Sequence, residues 1–507
     1  MYNKINMMNM KKLKYIFASL CVVIGLTSCN LDIKPQTGID AEETTTLRHI
    51  EALVNGVYNN MTTVTGYDFM RYPDYYTDLF NETTQSGNRG GYFSRWIVNY
   101  NDQDVNTIWS NYYAVISQIN FVIERADIVA KLSPADAPEL GVLKGELIFF
   151  RAYCLHQLAL RFCQDYDPAK ATTQLGVPCP TKYNPHAQLN RGTLADTYKQ
   201  ITDDIVAAEA LITASGEANA STVNVDAITA FKAQVALQMH DYTNASAYAK
   251  SLYATYPLIQ SKDEMNAMWH YDTSSETILQ FSLTSSTLAL VGNTTYDYTS
   301  GSWDASISNW LYTPAYVPEQ WVCDLFEATD WRYGTCIAPS YLYVNKQVMQ
   351  GTLLLKFMGN RDLFTSATVL TYKNMPKVFR VAEMYLIDAE AQYRNGGDAL
   401  TPLNALRAAR GLAGVASTGD ALFADIKKEC IREFIGEGRR LFDLKRWGDG
   451  FKRNPQTALK TILAGGTSTY EMEVQANEPK FVWPIPAEEG HKNPNIGEQN
   501  EGYTKFN

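Results

Sequence analysis

Helical periodicity constrains this chain more than any other feature. Within residues 104–131, Ile108, Tyr112, Val115, Ile116, Ile119, Val122, Ile123 and Ala126 recur at three- and four-residue steps. Within residues 140–163, Leu143, Leu147, Phe150, Cys154, Leu158 and Phe162 do the same. Such spacing gathers the apolar groups into one stripe of a helix, and the stripe is stable only when other elements cover it. Further helices are predicted from Leu47 onward and over residues 194–213, 226–240, 245–256 (with Asn244 as the cap), 379–394, 399–410 and 420–440. Successive pairs of 30–40 residues suggest a mainly α fold built as a tetratricopeptide-like α-α superhelix.

Residues 261–378 interrupt the pattern and read as an irregular insert with short strands at 277–283 and 352–357. After Trp447 the chain is loop-rich, with Pro479, Pro484, Pro486 and Pro494. The expected division is one domain over 47–507, in which 47–260 and 379–447 form the scaffold, 261–378 the insert and 448–507 the tail.

The N-terminus carries an export signature. Lys4, Lys11, Lys12 and Lys14 precede an apolar run at 15–25, too short to span a bilayer, and Thr27-Ser28 then precede Cys29. Residues 26–29 (LTSC) resemble a lipobox, so 1–28 are expected to be removed and Cys29 acylated, with 29–46 as a polar tether. The six cysteines beyond Cys29 match no zinc spacing, and the expectation for most is buried free thiols. With 54 acidic against 44 basic residues and a net charge of -10, the chain lacks the basic surplus a general nucleic-acid binder needs. No HExxH, GxSxG or P-loop motif is present, and nothing indicates a cofactor or a bracing calcium ion.

Several segments resemble the SusD/RagB family of Bacteroidetes outer-membrane nutrient-binding lipoproteins. Residues 146–162 (ELIFFRAYCLHQLALRF) resemble FxRAYxYFxLxxxFG, with Cys163 in place of the final glycine. Residues 380–391 (RVAEMYLIDAEA), 404–410 (NALRAAR) and 429–448 (ECIREFIGEGRRLFDLKRWG) are similar to further family motifs, as are the tail residues 483–486 and 499–503. The resemblance implies a helical scaffold on the cell exterior, lipid-anchored in the outer membrane and seated as a lid over a SusC-like TonB-dependent barrel transporter to which it passes a glycan or oligosaccharide. It implies binding without catalysis. Peptide or other nutrient capture on the same scaffold, a surface adaptor and a secreted hydrolase are the rival readings. Glu433 and Glu437 share one predicted helix with Arg439 and Arg440, which reads as ion-paired structure rather than the facing carboxylates of a glycosidase.

Ligand choice is expected elsewhere, in the rings. Aromatics make up 12% of the chain, but residues 58–113 hold fourteen and residues 296–343 hold twelve, about a quarter of each window. Both windows read as loops rich in Asn, Asp, Ser and Thr. Aromatic faces cover the C–H faces of sugars while polar neighbours bond the hydroxyls. The candidate binding residues are Arg71, Tyr72, Asp74, Tyr75, Tyr76, Asn81, Trp96, Tyr296, Trp303 and Trp310.

Overall fold

The computed structural model describes residues 44–283 and 296–506, with the side chains of Tyr67 and Tyr296 outside that description. The signal segment, Cys29 and most of the tether also lie outside it.

Four helices build the first layer pair: α1 (Leu47–Val64), α2 (Tyr67–Tyr75), α3 (Gln103–Leu132) and α4 (Ala137–Phe162). Thr46 caps α1 by accepting from the His49 N–H, and Asp102 caps α3 through the Asp104 N–H. From Gly145 to Phe162, α4 is buried on nearly every side, as expected for a helix whose residues are apolar all round. It is the central element, packed by α1, α3, α5 (Leu194–Glu209) and α6 (Val225–Gln238). Helix α7 (Tyr242–Ser251) starts three residues before the expected helix. Its cap is Asp241, which accepts from the Asn244 N–H, so Asn244 lies inside the first turn instead of capping it.

After α8 (Lys262–His270) and strand β2 (Thr277–Gln280), the insert forms a four-stranded sheet. Its strands are β3 (Gly301–Asp304), β4 (Asn309–Tyr312), β6 (Ile337–Val344) and β7 (Gln347–Leu354), in the order β3-β4-β6-β7. Asn345 and Lys346, both left-handed at φ 53 and 65, close the β6–β7 hairpin in the geometry that matches strand twist. This sheet covers a small core of its own, in which Tyr312, Leu342, Val344 and Leu353 pack on Leu459, Ile462 and Leu463.

The chain then returns to the scaffold. Strand β8 (Lys377–Arg380) pairs with β2, and α9 (Val381–Arg394) packs on α7 and on α10 (Leu400–Ala408). The helix expected over 420–440 is two helices: α11 (Gly419–Phe434) stops and α12 (Arg440–Trp447) begins anew. Gly436 and Gly438 between them are left-handed, at φ 78 and 75. A Cβ on Gly438 would sit 2.4 Å from the Met70 carbonyl oxygen, so only glycine lets the two backbones meet there. Cys154, Cys163, Cys179, Cys323, Cys336 and Cys430 are free thiols, Cys154 and Cys430 buried inside helices.

Candidate functional site

The two aromatic windows meet. Strand β1 (Phe80–Glu82) pairs with β5 (Tyr316–Pro318), and Tyr75 stacks on Tyr316 with ring centroids 3.6 Å apart. Much of the meeting is core rather than surface. Residues 67–75 fold as helix α2, not as loop, and Tyr72 and Tyr75 point inward. Tyr72 stacks on Phe93 at 4.5 Å and Tyr76 on Trp96 at 4.3 Å. The glycine-rich stretch at 87–91 lies across this stack. A Cβ on left-handed Gly90 would fall 2.9 Å from Tyr75 Cδ2.

Half of the expected binding residues are therefore corrected. Tyr72, Asp74, Tyr75, Tyr76 and Asn81 are buried, closed off by β5, the 87–91 loop and the tail. Asp74 accepts from the backbone N–H groups of Gly438 at 3.0 Å and Arg440 at 3.3 Å. Burial pushes its pKa up to about 7 against those bonds. Asn81 lies in the β1–β5 ladder opposite Val317. Arg71 is committed to Asp68 and Asp297. Trp96 is half-buried, wedged against Phe451 and Phe481, and donates its indole N–H to the Tyr76 carbonyl at 2.6 Å. The Tyr296 side chain is outside the described residues.

Trp303 and Trp310 behave differently. They face each other across β3 and β4 in register, on one face of the sheet, with centroids 6.0 Å apart and planes at 79°. Trp310 stacks toward Tyr312 and rests on the small core, whereas Trp303, at its rim, is 39% exposed. The turn joining the two strands sets Ser306 and Ser308 beside exposed Ile307, and Asp304 accepts from both the N–H and hydroxyl of Ser306. On the opposite face of the same sheet, Tyr341 and Tyr343 stand exposed on β6, with Val348 across from Tyr343 on β7. These two tyrosines were not among the expected residues. The alternation Tyr341-out, Leu342-in, Tyr343-out, Val344-in carried the signal.

Comparison with known proteins decides the relationship. A model of the SusD family matches residues 292–503, and a model described as "Starch-binding associating with outer membrane" matches residues 31–237. The chain belongs to the SusD family. A stretch of 154 residues, 30% of the chain, is 36% identical to the starch-binding protein SusD of Bacteroides thetaiotaomicron and spans 26% of that relative's length. The fold is shared with a SusD superfamily protein from B. thetaiotaomicron at a TM-score of 0.74 and 23% identity, over 90% of this chain and 99% of that one. It is also shared with a putative sugar binding protein from Bacteroides vulgatus, at a TM-score of 0.73 and 22% identity, over 91% and 99% of the two chains.

The segments that resemble the SusD family serve this chain as internal fastenings. Glu433 takes charged hydrogen bonds from Arg332 at 3.1 Å, Arg380 at 2.5 Å and Arg410 at 2.9 Å. Burial alone would raise its pKa, but the Arg410 and Arg380 guanidiniums overcome this and hold it well below the usual carboxylate range. Arg332 comes from the insert, Arg380 from β8 and Arg410 from just beyond α10, so one carboxylate ties three segments together. Glu437 bonds Lys356 and Arg380. Arg151 on α4 bonds Asp204 of α5 twice, at 2.8 and 2.6 Å. These are structural ion pairs.

Proposed function

We propose that this SusD-family protein is a surface lipoprotein that binds a glycan without chemical change, held in the outer membrane by acylated Cys29, and passes it to a SusC-like TonB-dependent transporter. The observation that carries the binding role is the Trp303–Trp310 pair, two indoles in edge-to-face contact, one of them exposed. A sugar ring laid on Trp303 buries its C–H face, and the turn between β3 and β4 offers hydrogen bonds to its hydroxyls. The acidic net charge of -10 suits a neutral ligand. The match to a family of starch-binding proteins and the partial likeness to starch-binding SusD support starch-like glucans as first probes.

Affinity electrophoresis in soluble starch, followed by a glycan array, tests the reading. Wild-type protein is expected to be retarded, and the Trp303→Ala, Trp310→Ala double variant to migrate freely while still unfolding in one cooperative thermal transition. Retardation equal to wild type, for every glycan the wild type binds, would overturn the assignment of these residues.

A further inference from the structure

A second site lies inside the molecule. Between the first helical stretch and the returning one there is a cavity of about 140 Å³. Its polar lining comes from both sides of the seam and includes Tyr153 and Gln157 from α4, Gln234 from α6, Glu383 from α9, and Glu437 and Arg439 from the break between α11 and α12. Trp269 and Phe434 add aromatic walls. We propose that this cavity is a binding site for one monosaccharide-sized, uncharged polyhydroxylated ring, separate from the exposed tryptophans and independent of the reading given to them.

Size comes first. A cavity of roughly 150 Å³ in an apolar core takes up benzene, so this one accommodates a six-membered ring. Half-exposed Thr65, Met70, Gln157 and Gln234 edge it, leaving room for ring substituents to project toward solvent.

Polarity comes next. Each of the six polar residues keeps hydrogen-bonding capacity that no described residue uses. Gln157 accepts from Arg161 at 2.8 Å through its oxygen and leaves its NH2 group unused. Gln234 donates to Glu383 at 2.6 Å and leaves its oxygen unused. Glu383 and Glu437 each receive their bonds on one carboxylate oxygen, Oε1, leaving Oε2. Arg439 engages one nitrogen with Glu383, leaving Nε and Nη2. The Tyr153 hydroxyl has no hydrogen-bond partner among the described residues, and burial keeps it protonated by raising its pKa. None of these atoms is among the buried unsatisfied groups, so each remains open to a small molecule. The unused set mixes donors (Tyr153, Gln157, Arg439) with acceptors (Gln234, Glu383, Glu437), which suits hydroxyls because each hydroxyl both gives and takes.

Most of the charge in the lining is neutralised within the protein. Arg439 is paired with Glu383, Glu437 with Lys356 and Arg380, and Arg446 with Asp443, while Arg161 spends its N–H groups on Gln157 and the Phe69 carbonyl. An apolar ligand would strand six polar groups. A neutral polyol can pair with all six of them.

Isothermal titration calorimetry on the full-length protein in detergent tests this, with D-glucose, D-galactose, D-xylose and N-acetyl-D-glucosamine as probes and glycine and succinate as charged controls of small size. At least one sugar is expected to bind at a single site and neither control to bind. The Gln157→Leu, Gln234→Leu pair should weaken that sugar at least tenfold, and Gln234→Met alone several-fold, while Trp303→Ala, Trp310→Ala leaves it unchanged. Gln234→Met decides the matter if the double variant does not fold. A cavity filled only by water gives no heat with any sugar, and that result overturns the proposal. So does binding of glycine or succinate instead, or a sugar affinity that the glutamine variants leave intact.

Discussion

Helix α2 and the β3–β4 hairpin are built from the same materials and end in opposite places. Both concentrate tyrosine or tryptophan among polar residues. In α2 and just beyond it, Phe69, Tyr72, Tyr75 and Tyr76 fall at three- and four-residue steps, and all four are buried. On the sheet, rings sit at alternate positions. Trp310 and Tyr312 turn toward a small core, while Trp303 at its rim and Tyr341 and Tyr343 on the outer face meet solvent. A helix on a scaffold has one side to hide, so an aromatic stripe on it becomes core. A small sheet with one open face leaves half its rings outside. Ring density marks neither outcome; the local period does.

The comparison breaks most visibly at Tyr75. Tyr75→Ala removes the ring stacked on Tyr316 and in edge contact with Phe80 and Tyr298. The expected cost is about 3–5 kcal/mol, as for other buried aromatic truncations. Urea unfolding should show a large loss of midpoint, and a change below about 1 kcal/mol would mean that α2 is not core. Trp96→Ala should be intermediate, at about 2 kcal/mol, because the ring is half-buried yet stacked and hydrogen-bonded. Trp303→Ala should fall within about 0.5 kcal/mol of wild type while glycan retardation drops. If the stability costs at positions 96 and 303 came out reversed, the division between core rings and surface rings would fail.

How much was legible follows the same physics. The runs predicting α3 and α4 carry long unbroken stripes, and their helices extend to Gln103–Leu132 and Ala137–Phe162. The run over 420–440 kept its period, but Gly436 and Gly438 cut it for reasons found only in space, the Leu354 side chain lying against the first and the Met70 backbone against the second. Helix α2 was read as loop because Pro73 and flanking glycines hid a nine-residue stripe. Strand β6 was missed although Tyr341 to Val344 alternate, since four residues are a short signal and Pro339 sits beside them. Of the expected binding residues, Trp303 and Trp310 keep their place in the proposal, because cross-strand rings at a sheet rim cannot both be covered by a core this small. The seam cavity could not be read at all. The polar residues offered to its ligand run from Tyr153 to Arg439 and are brought together by tertiary packing alone.

The subtlest test concerns the join between the two windows. Glu319 follows β5, and its N–H donates to the Leu79 carbonyl at 3.0 Å. Its carboxylate accepts from the Asn454 N–H at 2.6 Å, while its other oxygen is buried without a partner. Burial pushes the pKa up to about 8, with Arg453 and the Asn454 N–H pulling the other way. The folded protein therefore holds a proton that the unfolded chain releases near pH 4.3. Between that value and about 8 the folded state binds more protons, so this group's contribution to stability is fully present below pH 4 and is lost as pH rises through 8. Glu319→Gln keeps the oxygen that Asn454 needs and cannot ionise. Its melting temperature relative to wild type should climb steadily from pH 5 to pH 8.5. A difference that stays flat over that range would show that Glu319 is ionised in the fold, and that water reaches the join which the buried rings of α2 and β5 are held to seal.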